Sequence, residues 1–250
     1  VQGLRRFDVE FFTYSMRGVA AGDTGGAYHA IMGTLITTGI ATLISVPIGL
    51  FAAIYLVEYG NKGPMARGLT FFVDVMTGIP SIVAGLFAYA LFALIFGPGV
   101  RMGVAGAIAL SVLMIPVVVR SSEEMLRLVP NELREASYAL GVPKWLTIVK
   151  VVLPTSIAGI TTGVMLAIAR VMGESAPVLI LVGSTPTTNW FNMFDKPQSS
   201  LPLFMLDMWK SGATGPANDR LWGAALTLVI LVVTLNLLAR FVAKRYSVKK

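Results

Sequence analysis

Five long apolar runs, separated by polar segments, dominate the pattern of the chain. They cover residues 31–56, 69–96, 103–119, 156–183 and 221–242. A helix needs roughly 17 to 25 mostly apolar residues to cross a bilayer, so each run is long enough to span one. The pattern predicts an all-α, polytopic transmembrane helix bundle, with five spans in a single membrane domain over residues 1–250.

Proline and glycine are expected to bend or break three of these runs. Pro47 is expected to kink the first span, residues 78–81 to break the second, and Pro177 to interrupt the fourth. Inside a membrane, the backbone groups freed at such breaks must be satisfied by neighbouring helices or by a wet cavity. The breaks therefore fit helices around a pathway, although proline is common in membrane helices generally.

A charge-rich segment, residues 120–154, lies between the third and fourth runs, and water must reach it. Pro130 is predicted to be the first residue of a short helix, where its missing N–H costs nothing, and Gly141 to end that helix. Pro143 then begins a second helix at a new angle. The alternative is an amphipathic helix pair lying on lipid, which the glutamates of the segment disfavour against an anionic leaflet. Its charged residues are Arg120, Glu123, Glu124, Arg127, Glu132, Arg134, Glu135, Lys144 and Lys150.

The composition supports membrane insertion and argues against catalysis by this chain. Of its 250 residues, 55% are hydrophobic and 13% charged, with a mean hydropathy of +0.75, whereas soluble domains carry about 25% charged residues. With no cysteine and with His29 as the only histidine, thiolate and multi-histidine metal sites are excluded. The sequence also lacks the phosphate loop G-x-x-x-x-G-K-S/T. We therefore expect no catalytic residue, metal or cofactor in this chain.

The distribution of basic residues predicts the orientation. If the five spans alternate, the segments 58–68 and 120–154 and the C-terminal tail share one side and carry twelve Lys and Arg, against seven on the other side. By the positive-inside rule, residues 120–154 are cytoplasmic, and residues 184–220 form an extracytoplasmic loop. The same arithmetic places the N-terminus outside.

Three ionisable residues fall inside apolar runs: Arg170, Glu174 and Asp74. A charge at the centre of a bilayer costs roughly 2.5 to 3.5 kcal/mol, so such residues usually face inward. Arg170 and Glu174, four positions apart, are expected on one face of a continuous helix. They either neutralise each other between packed helices or serve a crossing anion. In the second case the guanidinium donates to an oxyanion, while Glu174 holds Arg170 and accepts a proton. Asp74 either lines the pathway, pairs with Arg170, or caps the helix broken at residues 78–80.

A motif in the charge-rich segment resembles the "EAA" loop of ABC importer permeases, E-A-A, three residues, G, nine residues, I-x-L-P. Here Ser137 replaces the second Ala and Val151 replaces Ile. The resemblance implies a cytoplasmic coupling helix that sits in a groove of a separate ATP-hydrolysing subunit and transmits its closure. The residues implied in ATPase coupling are Glu135, Ala136, Ser137, Gly141, Leu153 and Pro154.

Three further stretches are similar to the permease subunits of the bacterial phosphate ABC importer. Arg170 with residues 173–177 matches R-x-x-G-E-S/T-A-P, and residues 79–85 and 199–202 also resemble that group. The resemblance covers nearly the whole chain. It implies that Arg170 and Glu174 carry anion passage, with Asp74 in a gating or pairing role along the substrate pathway.

The same resemblance implies partners and a location. A second homologous permease subunit, two ATP-binding subunits that bind ATP and Mg, and an extracytoplasmic phosphate-binding protein are expected, in the bacterial cytoplasmic (inner) membrane. Such permeases usually have six spans with both ends in the cytoplasm, so a sixth span is expected before Val1. Alternatives are a permease for molybdate or sulfate, a non-transporting membrane scaffold, and an ion-coupled secondary transporter. The last would show inverted repeats with paired broken helices, which the sequence does not.

Overall fold

The computed structural model describes residues 2–19, 25–60, 63–189, 192, 194, 196–212 and 214–246. Several basic residues that enter the charge count, Lys62, Lys249 and Lys250, lie outside these ranges. Within the described part every regular element is a helix. The predicted all-α fold is therefore confirmed.

The helices follow one another with short connections. A 3₁₀ turn covers Gln2–Arg6, and π-helical turns cover Tyr55–Tyr59 and Ile148–Val152. The α-helices are α1 (Val9–Thr13), α2 (Tyr28–Ile54), α3 (Pro64–Gly78), α4 (Ser81–Phe96), α5 (Gly103–Arg127), α6 (Asn131–Ala139), α7 (Lys144–Thr147), α8 (Leu153–Met172), α9 (Ala176–Leu181), α10 (Leu201–Lys210) and α11 (Gly215–Tyr246).

Four continuous helical stretches in the described residues are long and apolar enough to cross a membrane. They are Tyr28–Tyr59, Gly103–Arg127, Lys144–Met172 and Gly215–Phe241. The predicted second span, residues 69–96, is instead a pair of helices, α3 and α4, that meet at 108°. Pro80, with φ −58° and ψ 137°, leaves the helical conformation and caps α4, because proline cannot donate the hydrogen bond that would continue α3. Counting this bent pair as one span gives the five that the apolar runs predict.

Two other predicted boundaries were wrong. The third helix does not end at residue 119, since α5 continues to Arg127 and carries the first charges of the polar segment on its last turns. The fourth span is not continuous to residue 183, because α8 ends at Met172 and α9 begins at Ala176. Pro177 lacks the N–H that would bond the carbonyl of Gly173, and its ring would clash with that carbonyl. The long outer segment 184–220 also contains α10.

The chain divides into two compact units, although the sequence predicted one membrane domain. The first unit comprises residues 1–42, 80–112 and 170–233, and the second residues 43–79, 113–169 and 234–250. In the first, Phe11, Leu201 and Phe204 are buried together. In the same unit α4 packs against α9, where a Cβ on Gly85 would lie 2.9 Å from the Cα of Pro177.

The second unit contains the polar elbow and has its own apolar core. Ala53 of α2, Leu126 of α5, Val152 and Ile160 are buried against one another. This core joins the ends of α2 and α5 to the start of α8, which are distant in sequence.

Candidate functional site

The elbow of the second unit is formed by α6, Gly141 and α7. Pro130 caps α6 with ψ 142° and is not the first helical residue, because its extended ψ places it outside the helix. At the other end Gly141 has φ +76°. The N–H of Val142 bonds the carbonyl of Ser137 at 3.2 Å, and the N–H of Gly141 bonds that of Tyr138 at 2.9 Å. This pair of bonds is the Schellman motif, which satisfies carbonyls that a helix end leaves free. The predicted glycine stop is confirmed.

The side chains of the elbow separate into a buried and an exposed set. Ser137 is buried and its hydroxyl bonds that of Thr147 in α7 at 2.8 Å, which joins the two helices. Glu135 and Ala136 are exposed. Leu133 and Leu140 are exposed to 41% and 83% of their surface. An apolar face left open on a water-facing helix is a typical interaction surface.

The elbow continues into α8 through a π-helical turn. Leu153 is the first residue of α8, and its N–H bonds the carbonyl of Ile148 across the turn Ile148–Val152. Pro154 follows, and it cannot donate to a carbonyl one turn earlier. The wider turn accommodates this proline within one stretch from Lys144 to Met172. Helices α7 and α8 are therefore parts of one continuous helical stretch.

Arg170 and Glu174 do not share a helix. Arg170 is an exposed residue of the last turn of α8, whereas Glu174 lies in the break before α9 and is half-buried. In the described residues no ion pair joins their side chains. The predicted arrangement on one helix face was wrong, because α8 ends at Met172, before Glu174. Mutual neutralisation of this pair is therefore absent from the structure.

Asp74 of α3 forms an ion pair with Arg120 of α5, and neither its predicted pairing with Arg170 nor a capping bond appears among the described contacts. The same guanidinium donates to Glu123 at 2.8 Å, and Arg127 donates to Glu123 at 2.7 Å. The carboxylate of Glu123 has a side chain only 8% exposed, whereas that of Asp74 is 59% exposed. These four residues form a chain of alternating charge.

The sequence places Arg120, Glu123 and Arg127 in the polar segment 120–154, in which residues 123–154 are expected to dock on the ATPase, but that expectation includes no ion pair among them. Their spacing of three and four is the spacing of neighbours on one helix face. This spacing predicts ion pairs only if the helix α5 continues past residue 119, as it does in the structure. It predicts the ion pairs within α5 but not the contribution of Asp74, which comes from another helix.

A cavity of about 500 Å³ opens beside this charged chain in the second unit. It is lined by residues of both signs together with apolar ones, Leu56, Ala66, Arg67, Thr70, Phe71, Asp74, Glu123 and Arg127. Within the described ranges no group of three or more histidine, cysteine, aspartate or glutamate residues could hold a metal ion. The chemistry available here is therefore ionic and hydrogen-bonding.

Comparison with known proteins agrees with this architecture. The model of the family described as "Binding-protein-dependent transport system inner membrane component" matches residues 45–248. Among solved structures, the MetNI methionine ABC transporter in inward-facing conformations superposes with a TM-score of 0.68 at 19% identity, over 89% of this chain and 95% of that one. An amino acid ABC transporter gives a TM-score of 0.65 at 18% identity, over 86% and 92%.

The chain belongs to this family of inner membrane components of binding-protein-dependent transport systems, the permeases of ABC importers, which are non-catalytic membrane subunits. It is a multi-pass protein of the cytoplasmic membrane. It is 52% identical over 242 residues to "Phosphate transport system permease protein PstA 1" of Mycobacterium tuberculosis (strain CDC 1551 / Oshkosh), covering 94% of this chain and 77% of the relative. The PstA proteins of Mycobacterium leprae (50% identity; 96% and 78%) and Pasteurella multocida (38%; 96% and 83%) are also similar.

Proposed function

We propose that this chain is a membrane-spanning permease subunit of an ATP-driven phosphate importer, of the PstA type. The assignment of phosphate as the substrate rests on the 52% identity to a relative named as a phosphate transport permease, together with two further PstA relatives. The subunit forms half of the translocation pathway. It couples that pathway to ATP hydrolysed elsewhere.

Coupling occurs at the elbow. The exposed face of α6, with Leu133, Ala136 and Leu140, is the surface on which an ATP-binding subunit docks. Glu135 lies on the exposed side of the same helix. The Schellman motif at Gly141 and the Ser137–Thr147 bond make α6 and α7 a stiff unit. A displacement of α6 therefore also displaces α7.

Partners supply what the chain lacks. ATP and Mg are bound by two ATP-binding subunits, because this sequence has no phosphate loop. A second permease of the PstC type completes the pathway, and an extracytoplasmic phosphate-binding protein delivers the anion to the outer segments. The finding that members of this family are components of binding-protein-dependent systems supports this assembly.

Passage of the anion involves Arg170. Its side chain is exposed in the isolated chain, and an exposed guanidinium in an apolar helix is costly against lipid. It therefore faces water or the second permease, where its planar fork suits a tetrahedral oxyanion. Glu174, released from Arg170 by the break, acts as the proton acceptor. Asp74 acts as a gate of the pathway by breaking and re-forming its ion pair with Arg120.

The test is reconstitution with the sister permease, the ATP-binding subunits and the binding protein in liposomes. ATP-dependent uptake of radiolabelled phosphate, in excess over sulfate and molybdate, is expected. Preferential uptake of sulfate or molybdate would assign the second oxyanion class. An assembled complex that moves no oxyanion would leave the scaffold alternative. Uptake of phosphate by the permeases without any ATPase would overturn the ABC assignment.

A further inference from the structure

A buried ion pair connects the elbow to the end of the first long helix. Glu58 lies in the π-helical turn that extends α2, and Arg134 lies in α6. The Nε and Nη2 atoms of Arg134 donate to Oε1 of Glu58 at 3.1 and 2.9 Å. The two side chains are only 4% and 12% exposed. Since a buried charge is tolerated only with a well-placed partner, each side chain constrains the position of the other.

The same guanidinium also holds the end of α5. Its Nη1 donates to the carbonyl of Val129 at 2.6 Å and its Nη2 to that of Leu126 at 3.0 Å. Leu126 lies in the last turn of α5, where its carbonyl also accepts a 3.4 Å bond from the N–H of Val129, and Val129 lies just beyond the helix. Arg134 therefore reinforces the end of α5, where carbonyls have few partners within the helix. One side chain of α6 thus contacts the ends of two membrane helices.

The second helix of the elbow reaches the same turn. Lys144, the first residue of α7, donates from Nζ to the backbone carbonyl of Glu58. Its ammonium lies 4.8 Å from the ring centroid of Tyr59, in the geometry of a cation–π contact. Both halves of the elbow are therefore attached to one five-residue turn.

That turn is a single π-helical turn. The N–H of Gly60 bonds the carbonyl of Tyr55 at 2.7 Å, one residue further back than in an α-helix. Such single π turns occur frequently at functional sites in helices. Both halves of the elbow therefore meet α2 at an irregular turn and not at a regular α-helical one.

The polypeptide chain itself does not connect the elbow directly to α2, so a displacement of the elbow must reach α2 through side-chain contacts. The elbow is joined through the chain to α5 and α8, whereas Glu58 and Arg134 are 76 positions apart. The side chains of Arg134 and Lys144 link the elbow to the turn Tyr55–Tyr59. Val57 of the same turn also packs against the apolar core that contains Leu126, Val129 and Val152. The polar contacts give α6 and α7 themselves a direct attachment to that turn.

From this geometry we infer that Glu58 and Arg134 form a transmission joint, through which displacement of α6 by the bound ATPase moves the cytoplasmic end of α2. The inference rests on the proposed function, because it requires an ATPase acting on α6. Glu58 and Arg134 are positioning residues, which touch neither phosphate nor nucleotide. Loss of the joint should leave ATP hydrolysis running while transport falls.

The experiment measures phosphate transported per ATP hydrolysed by the full complex in proteoliposomes. The unaltered complex is measured first. If it transports no phosphate, the proposed function fails, and this failure is separate from a failure of the joint. With an active complex, Glu58→Gln and Arg134→Gln should lower the ratio at least tenfold and keep basal hydrolysis within twofold. Glu124→Gln and Lys150→Gln, which remove the same charges from exposed positions of the neighbouring segment, should leave the ratio unchanged.

A rescue distinguishes the connection from a merely structural role. Because the chain has no cysteine, Glu58→Cys combined with Arg134→Cys can be bridged selectively by a short bifunctional thiol reagent, with partner cysteines replaced. The unbridged variant should be uncoupled and the bridged one should recover at least half of the ratio. Assembled glutamine variants with an unchanged ratio would overturn the inference. If the glutamine variants fail to assemble, the bridged cysteine variant provides the test. If bridging does not restore the ratio of phosphate transported to ATP hydrolysed, the joint is rejected.

Discussion

The hydroxyl oxygens of Ser137 and Thr147 lie 2.8 Å apart in the buried side of the elbow. Ser137 occupies the motif position where the resembled family usually has alanine, so this chain has added a bond between α6 and α7. Thr147 is fully buried, and its hydroxyl has one other contact, at 3.4 Å, to the carbonyl of Pro143. The bond stiffens the elbow across its glycine.

Ser137→Ala should lower the free energy of unfolding of the purified complex by about 1 kcal/mol, because it leaves the Thr147 hydroxyl with only its long contact. Thr147→Val should cost a similar amount. The double variant should cost less than the sum, which a double-mutant cycle in thermal unfolding measures. Additive costs would mean that the two hydroxyls are not coupled.

Gly141→Ala tests the positive φ at the elbow. A Cβ at this position meets nothing within 4 Å, so the whole effect comes from the backbone, about 1 to 2 kcal/mol for a left-handed residue. Gly141→Asn should cost less, since asparagine tolerates this conformation. Both are measured as a shift in thermal unfolding of the complex. Equal costs would contradict a backbone origin.

Gly85→Ala should destabilise the contact between α4 and α9. The added Cβ would lie 2.9 Å from the Cα of Pro177, and overpacking of this kind costs about 1 to 3 kcal/mol. Gly39→Ala in α2 is the matched control, because nothing lies within 4 Å of its added Cβ. Thermal unfolding should separate the two variants. Equal stability would show that α9 can move away without cost.

Arg170→Gln should reduce ATP-dependent phosphate uptake at least tenfold while the complex still assembles. Arg170→Lys should retain part of the activity, because it keeps the charge but loses the fork that donates two parallel hydrogen bonds. Uptake is measured in proteoliposomes at matched complex content. Normal uptake by the glutamine variant would remove Arg170 from the pathway.

Glu123→Gln should be more damaging to stability than Asp74→Asn. The first removes a carboxylate that is 8% exposed and receives hydrogen bonds from both Arg120 and Arg127. Because these guanidinium groups are 30% and 62% exposed, the cost is about 1.5 to 3 kcal/mol, the range for hydrogen bonds to charged groups. The second removes a side chain that is 59% exposed, and its cost is reduced by solvent screening. Thermal unfolding of the two variants gives the order, and the reverse order would contradict the burial argument.

Local chemistry made much of the elbow predictable. Gly141 ends α6 because residues without a Cβ adopt positive φ cheaply, and Pro143 precedes α7 as its N-cap, one residue before the helix rather than as its predicted first residue. The apolar runs likewise predicted the long helices, since a bilayer sets the length of a helix that crosses it. Each of these conclusions needs only residues that are close together in the chain.

The tertiary structure alone decided the pairings. Asp74 bonds Arg120, and Glu58 bonds Arg134, across 46 and 76 positions, and no periodicity reports such a contact. Hydrophobic length and backbone preference are encoded locally. The partner of a buried charge depends instead on which helices the fold brings together.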